Sequence, residues 1–265
     1  MSLLYIQTEL DTAGILTVSL NRPAVFNALN VPMLEELLEV FQQEATQPEV
    51  RCIILTGTGR GFCAGQDLEE RRSFVEEEGG EPPSLGQSLR QRYNPLIQAI
   101  RELPKPVIGA INGVAAGAGC SLALACDLRV AADNATFIES FVRVGLGLDS
   151  GSSFMLPRLV GLARAFELAL LGERLNAATA EQYGLVNRVV PAALLMTETH
   201  ALARQLAAAP PKTLGRIKRA LNFALTHDLS AALEYEALEQ EAAAWHPEYK
   251  EGLTAFFEKR PPNFS

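Results

Sequence analysis

Gly61-Phe-Cys-Ala-Gly-Gln-Asp67 and Asn112-Gly-Val-Ala-Ala-Gly-Ala-Gly-Cys120 are the two stretches that decide the fold of this chain. Each is a glycine-rich turn that follows a short apolar run, 53–55 before the first and 106–108 before the second. Runs of small residues expose backbone N–H groups and let a ligand come close to the main chain. Two N–H groups aimed at one point stabilise a developing oxyanion. The pattern therefore predicts a site built from backbone amides on a scaffold of strands.

Short apolar runs alternate with helical patterns through most of the chain. Strands are predicted at 16–20, 50–56, 106–111 and 127–132, and helices around 33–41 and 89–100. Strands and helices in alternation predict an α/β fold with parallel strand pairing. From about Ala192 the pattern is helical only, and Pro210-Pro211 separates two segments. We therefore expect residues 1–191 to form the core with the site, and residues 192–265 to form a C-terminal helical oligomerisation region.

Composition and charge narrow the class of protein. The 265 residues are 48% hydrophobic and 20% charged, with a formal net charge of −8 at pH 7. This acidic balance, without a basic run, argues against nucleic acid or an anionic membrane surface as a partner. No apolar run reaches the ~20 residues of a membrane span, and the N-terminus lacks the features of a signal peptide. We expect a cytoplasmic protein, with the acidic residues 76–83 forming a surface loop.

Two common kinds of site are not supported by the sequence. The four cysteines form no Cys-x-x-Cys pair, and no His/Asp/Glu cluster has the spacing of metal ligands. Gly117/Gly119 and Gly145/Gly147 each begin a G-x-G pattern but lack the third glycine of the dinucleotide fingerprint. We therefore expect neither a metal nor a separate cofactor.

Asp149 is the candidate general base. It lies in Gly145-Leu-Gly-Leu-Asp-Ser-Gly151 among apolar neighbours, where desolvation would raise the carboxyl pKa above its ordinary ~3.9. An N-cap of the helix predicted over 153–160 is the simpler interpretation of the same residue. Asp149-Ser150-Gly151 is also compatible with a serine hydrolase, although all three histidines lie in the C-terminal helical part. Asp67, after the first turn, is typical of a turn or helix cap.

Taken together, the motifs resemble the enoyl-CoA hydratase/isomerase (crotonase) family over essentially the whole chain. Besides the two turns, the matching motifs follow the family's order and are Leu20-Asn-Arg-Pro23, Asn27-Ala-Leu29, Ala125-Cys-Asp-Leu-Arg129, Leu156-Pro-Arg-Leu-Val-Gly161, Ala180-Glu-Gln-Tyr-Gly-Leu-Val186 and Gly252-Leu-Thr-Ala-Phe-Phe-Glu-Lys-Arg260. The resemblance implies a ClpP/crotonase-like core of repeated ββα units and a C-terminal helical trimerisation region. It also implies a homotrimer or a dimer of trimers, with an acyl-CoA as the substrate.

The same resemblance assigns roles to individual residues. It implies that the amides of Ala64 and Ala118 form the oxyanion hole for the thioester carbonyl. The residues that it places against coenzyme A are Ala64, Gln66, Asp67 and Leu68, together with Phe256 and Lys259, which often come from a neighbouring subunit.

The departures from the family narrow the expected reaction. Hydratases carry two glutamates where this chain has Ser121 and Phe141. Asp149 instead matches the single acid of the dienoyl-CoA isomerases and of the isomerases that convert ring-1,2-epoxyphenylacetyl-CoA to oxepin-CoA in phenylacetate degradation. The chain resembles the latter group most, apart from Leu148, where that group tends to have proline.

We therefore expect an acyl-CoA isomerase with one Asp base and a backbone oxyanion hole. The same base would move a 3-enoyl double bond to the 2 position, because such a shift needs only one group that takes and returns a proton. Two alternatives stay open. One is a fatty-acid-type enoyl-CoA or dienoyl-CoA isomerase or hydratase, and the other is an acyl-CoA binding protein without activity.

Overall fold

Two sheets organise the chain, and the computed structural model describes residues 3–72, 76 and 84–264. The strands are β1 (Ile6–Leu10), β2 (Ile15–Leu20), β3 (Cys52–Gly57), β4 (Gly61–Cys63), β5 (Val107–Ile111), β6 (Val114–Ala116), β7 (Leu128–Ala132), β8 (Thr136–Ile138), β9 (Leu175–Asn176) and β10 (Arg188–Val190). The larger sheet has the order β1-β2-β3-β5-β7-β10, and the smaller has the order β4-β6-β8-β9.

Helices cover the sheets and form the C-terminal part. They are α1 (Val31–Gln42), α2 (Leu85–Ser88), α3 (Asn94–Glu102), α4 (Ala118–Ala125), α5 (Ser152–Val160), α6 (Leu162–Leu171), α7 (Ala177–Gln182), α8 (Leu195–Ala207), α9 (Pro211–Ala224), α10 (Leu229–Ala244) and α11 (Pro247–Glu258). A π-helical turn, Leu89–Tyr93, joins α2 to α3. Local sequence explains where α1 begins, because the Asn30 side chain accepts from Met33 N and Pro32 lies in the first turn.

Successive strand pairs divide between the two sheets. In β3/β4, β5/β6 and β7/β8, the first strand joins the larger sheet and the second joins the smaller one. The pairing is parallel, with Ile53 opposite Val107 in the larger sheet and Gly61 opposite Val114 in the smaller one. This arrangement confirms the predicted core of repeated ββα units.

The centre of the larger sheet is buried on both faces. All residues of β3 and β5 are buried, as expected for parallel strands that are covered by helices on each side. The short turns that leave these strands therefore start from a rigid base, and both glycine-rich segments lie directly after them.

The predicted boundary at residue 192 falls inside the packed core. Helix α8 packs against β3, β5 and β7, and its Leu195, Leu202 and Ala203 belong to the hydrophobic core. The outlying helices start with α9, which buries only Gly215 and Lys218. A helical stripe in a sequence shows that one face is apolar and does not show which surface covers it, so the sequence could not distinguish α8, which lies on the core, from α9.

Two further expectations concern the periphery of the chain. The acidic segment 76–83 lies outside the described residues except for Glu76. Within the ranges that the structure does describe, no helix is long and apolar enough to cross a membrane.

Candidate active site

The two glycine-rich turns touch each other beyond the ends of β4 and β6. A Cβ atom on Gly65 would lie 2.6 Å from Ala116 O, and one on Gly119 would lie 2.2 Å from Cys63 O. Side chains do not make contacts this short, so the approach of the two turns requires glycine at both positions. Gly65 also has a φ of +94°. The contact brings Ala118, the first residue of α4, beside the first turn.

The Ala64 amide is already used within the fold. Its N–H donates to Phe26 O at 2.9 Å. This hydrogen bond does not support the prediction that Ala64 supplies one of the two oxyanion donors, because that donor would have to face a ligand. The bond joins segments that are distant in the sequence, so the sequence of the turn gives no sign of it.

Gln66 is the next candidate in the same turn. It forms a parallel bridge with Leu29, in which Gly65 O accepts from Leu29 N at 2.7 Å and Asp67 N donates to Leu29 O at 3.0 Å. Successive residues of an extended chain face opposite sides. The N–H of Gln66 therefore points away from Leu29.

Ala118 lies at the start of a helix, α4, as the sequence predicts. The N–H groups in the first turn of a helix have no acceptor within that helix, and the helix dipole places partial positive charge there. Gly117 precedes it with a φ of +50°, and the Gly117 N–H donates to Ile138 O at 2.9 Å. This bond ties the start of α4 to β8 and orients the Ala118 amide.

Two cavities that share residues open beside the turns. The turn cavity, of about 80 Å³, is lined by Ala64, Gly65, Gln66, Leu68, Tyr93, Gly117, Ala118, Ser140, Phe141, Val144, Leu146 and Asp149. The leucine cavity, of about 220 Å³, is lined by Gln66, Leu85, Ser88, Leu89, Tyr93, Leu146, Gly147, Leu148 and Asp149. Among the described residues, Asp149 is the one carboxylate in either lining, and it belongs to both.

Asp149 is half-buried at the junction of these cavities. Burial raises the pKa of its carboxyl, as predicted, while a hydrogen bond from Ser150 Oγ to Oδ1 at 2.8 Å opposes the shift. Its main-chain oxygen accepts from Ser121 Oγ at 3.1 Å and from Ser152 N at 2.9 Å. The N-cap of α5 is Gly151, so the interpretation of Asp149 as the N-cap is wrong. Its carboxylate is left to face the cavities.

The Asp67 side chain is held by the fold. Its carboxylate lies 2.8 Å from Arg22 Nη2 and accepts from Glu69 N at 3.1 Å. This confirms the interpretation of Asp67 as a cap. Leu68, which follows it, lines the turn cavity and is more than half exposed.

Phe256 and Lys259 lie apart from these cavities. Phe256 is on α11 and is 75% exposed, and Lys259 caps the same helix. Neither lines the turn cavity or the leucine cavity of its own chain, and the same is true of the three histidines. The serine hydrolase alternative therefore has no histidine partner beside Asp149. In the described ranges, no three His, Cys, Asp or Glu side chains are grouped so that they could hold a metal ion.

Known proteins share this arrangement of turns, strands and helices. The family model for enoyl-CoA hydratase/isomerase matches residues 11–265. The chain belongs to this family. An enoyl-CoA hydratase from Bacillus anthracis has a crystal structure that superposes with a TM-score of 0.91 at 35% identity, covering 98% of this chain and 99% of that one. This likeness confirms the crotonase fold expected from the sequence.

Relatives within the enoyl-CoA hydratase/isomerase family are named for different activities. The 1,2-epoxyphenylacetyl-CoA isomerase of Escherichia coli (strain K12) is 44% identical over 95% of both chains. The 4-chlorobenzoyl coenzyme A dehalogenase-2 of an Arthrobacter species is 36% identical over 94% of this chain and 89% of its own. The chain is thus a member of an enzyme family whose named activities include isomerisation and dehalogenation.

Three polar residues near the site were not predicted. Tyr93 is buried and lines both cavities. Its place at the end of a π-helical turn, a feature common at functional sites, becomes visible only in the structure. Ser152 and Glu139 are buried behind Asp149. A single glutamate two residues before Phe141 carries no sequence signal of burial, because isolated glutamates are mostly exposed.

Proposed function

We propose that this protein is an acyl-CoA isomerase that converts ring-1,2-epoxyphenylacetyl-CoA to oxepin-CoA, with Asp149 as the only base. The observation that carries the proposal is the single carboxylate at the junction of the two cavities, beside the start of α4. Adding water to a double bond commonly uses two carboxylates, whereas moving a double bond needs one group that takes a proton and returns it elsewhere. Within the part of the chain that the structure describes, Ser121 and Phe141 leave Asp149 without a second carboxylate in the lining.

The turns would stabilise the charge that forms during the reaction. Proton removal beside the thioester moves an electron pair onto the carbonyl oxygen and gives an enolate. We assign the two donors to the main-chain N–H groups of Ala118 and Gln66, with Gln66 replacing Ala64. Preorganised donors of this kind supply much of the barrier reduction in acyl and enolate chemistry. Substrate and product are isomers, so the reaction needs no cofactor beyond the coenzyme A of the substrate.

Burial makes the Asp149 carboxylate better suited to act as a base. The raised pKa of Asp149 brings its carboxyl nearer to neutral pH than an ordinary aspartate, which improves a general base. Leu85, Leu89 and Leu148 give the leucine cavity an apolar wall that suits a ring or a short acyl chain. Two relatives whose names specify a ring-bearing acyl group, epoxyphenylacetyl and chlorobenzoyl, support a ring substrate.

The decisive test is the variant Asp149→Asn, assayed with the ring epoxide thioester and with 3-enoyl-CoA in parallel. We expect turnover to fall by about 10²–10⁴-fold, while the affinity for the thioester stays close to that of the wild type, because the amide keeps the shape of the side chain. Steady-state kinetics and calorimetry measure the two quantities. Glu69→Gln is the matched control, since that carboxylate pairs with Arg72 at the surface and should leave turnover unchanged.

Each alternative has its own result in this assay. Near-normal turnover by Asp149→Asn would remove Asp149 from the mechanism. Activity on 3-enoyl-CoA alone would make the protein a fatty-acid-type isomerase, for which the same single base is sufficient. Thioester binding without turnover of either substrate by the wild type would favour an acyl-CoA binding protein.

A further inference from the structure

Glu139 is a buried carboxyl that the mechanism above does not use. It directly follows β8, and the residue is only 3% exposed. It lines neither the turn cavity nor the leucine cavity. Among the ion pairs found in the described residues, none involves Glu139. A carboxyl in such a place is unfavourable as an ion and calls for another explanation.

The surroundings of Glu139 favour its neutral form. Burial raises the pKa of the carboxyl, and the charge of Asp149 also raises it, whereas hydrogen bonding from Ser152 and the interaction with the Cys120 thiol oppose the shift. The Cys120 thiol of α4 faces the same carboxyl, but no described residue makes a hydrogen bond of normal geometry to Oε1. Among the described residues, Cys120 and Asp149 are the titratable groups that act on Glu139.

Ser152 connects Glu139 to the turn that carries Asp149. Ser152 Oγ donates to Glu139 Oε2 at 2.9 Å, and Ser152 N donates to Asp149 O at 2.9 Å. Ser152 is fully buried and begins α5. One residue thus hydrogen-bonds the buried carboxyl with its side chain and the catalytic turn with its main chain.

The turn itself needs support from its surroundings. Ser150 has a φ of +50° and Gly151 a φ of +81°. The first of these is in the left-handed region, which a non-glycine residue adopts only at a cost and only where neighbouring contacts hold it. Small errors in the position of a reacting group cost rate steeply, so the contacts behind this turn bear on catalysis.

We propose that Glu139 is a positioning residue: through Ser152, its buried carboxyl holds the 149–151 turn so that the Asp149 carboxylate faces the cavities. The inference rests on the proposed role of Asp149 as the base. A neutral Glu139 suits the role, because a second negative charge behind Asp149 would oppose ionisation of the base.

The test compares Glu139→Leu with Glu139→Gln on a thioester that the wild type converts. We expect Glu139→Leu to lower kcat by roughly 10- to 100-fold with KM little changed. Because it leaves the buried Ser152 hydroxyl without its acceptor, Tm should fall, but no more than in the buried-hydroxyl control described below. Glu139→Gln should recover most of the lost kcat, because the amide oxygen still accepts from Ser152. A purely structural role would lower Tm beyond that control and would not separate kcat from KM in this way.

Ser152→Ala and a distant control complete the design. Ser152→Ala in the Glu139→Leu background should lower kcat little beyond the single variant, since both changes break the same chain of contacts. The control is Thr199→Val, which removes another fully buried hydroxyl, one that donates to Leu195 O at 2.7 Å within α8. It should change Tm but not kcat.

Two results would overturn the proposal. The first is an unchanged kcat in Glu139→Leu, and the second is an equal loss of kcat in the Leu and Gln variants together with a Tm below that of the control. Asp149→Asn, measured beside them, separates this inference from the proposed function. If Asp149→Asn is inactive and Glu139→Leu is normal, only the positioning role fails. If Asp149→Asn turns over normally, the proposed function fails, and the positioning role fails with it.

Discussion

At the scale of single residues, the protonation of Asp149 sets the pH dependence. Burial raises the pKa of its carboxyl, while the Ser150 hydroxyl opposes this by donating to the charged form. A base must be ionised to act, so kcat/KM should fall as the pH drops through this raised pKa. We expect the acid limb of the kcat/KM profile to lie above the ~3.9 of an ordinary aspartate.

Ser150→Ala tests the opposing contribution. Removing the hydroxyl donor disfavours the carboxylate, so the pKa of Asp149 should rise further and the acid limb should move to higher pH. Ser153→Ala is the control, since that side chain is exposed in the first turn of α5. A limb that moves to lower pH, or equally in both variants, would contradict the role of Ser150.

The sequence predicted the surroundings of those site residues whose neighbours in space are also their neighbours in the chain. The apolar neighbours of Asp149 and the position of Ala118 at the start of a helix both follow from the nearest few residues. The acceptor of the Ala64 amide, Phe26 O, lies on a distant segment, so the sequence of the turn could not show that this N–H is hydrogen-bonded within the fold. Glu139 was missed for the same reason, because the groups that face its carboxyl, Cys120 of α4 and Ser152 of α5, belong to other elements of the chain.

At the scale of secondary-structure elements, a buried ion pair fastens α9 to the core. Lys218 Nζ lies 2.7 Å from Asp127 Oδ2 and donates to Ile100 O at 2.9 Å and to Lys105 O at 3.1 Å. Asp127 in turn accepts from Val107 N at 2.9 Å, at the start of β5. The helix is thereby joined to a central strand of the larger sheet.

Lys218→Met should therefore destabilise the protein. Removing the ammonium leaves a partly buried carboxylate and two carbonyl groups with fewer donors, at a cost of about 3 kcal/mol in the free energy of unfolding. Urea denaturation measures this cost. Lys212 on the same helix is exposed and provides the control. Lys212→Met should change the free energy of unfolding by less than about 0.5 kcal/mol. Equal effects from the two substitutions would contradict the account.

The positions of the helices and strands in the sequence were predicted better than the surfaces against which they pack. Strand β2 and helix α1 lie within a residue or two of their predicted places, because side-chain periodicity and capping are properties of short segments. The surface against which a helix packs is not a property of a short segment. Helix α8 lies against the larger sheet, whereas α9 leaves Ile217 and Leu221 more than half exposed, although both helices show similar apolar stripes in the sequence.

At the scale of the whole molecule, the C-terminal helices expose large apolar side chains. Leu229, Leu233, Leu238 and Trp245 on and after α10 are each more than half exposed, and so are Phe256 and Phe257 on α11. Exposed apolar surface of this extent marks an interaction site. We expect copies of the chain to cover it, in a homotrimer or a dimer of trimers in which Phe256 and Lys259 reach the coenzyme A of a neighbouring subunit.

Subunit mixing tests this arrangement directly. If Phe256 serves a neighbouring site, Phe256→Ala should weaken thioester binding, and oligomers formed from Phe256→Ala and Asp149→Asn chains should regain activity. Each regained site would combine Asp149 of one chain with Phe256 of the next. Phe257→Ala, which is equally exposed, is the control and should bind the thioester normally. Mixed oligomers that stay inactive would place Phe256 outside the neighbouring site.

The contact between the two glycine turns has a consequence for how such enzymes change. The proposed charge-stabilising groups are peptide N–H groups that are held by a backbone contact at Gly65 and Gly119. Most side chains around these N–H groups can therefore be substituted while the N–H groups stay in place. A new reaction can then arise by substitution of the side chains around the two N–H donors, because the donors themselves do not change. Mutational libraries at positions 121, 141 and 149, with both glycines conserved, should yield altered reactions far more often than libraries that vary the turns.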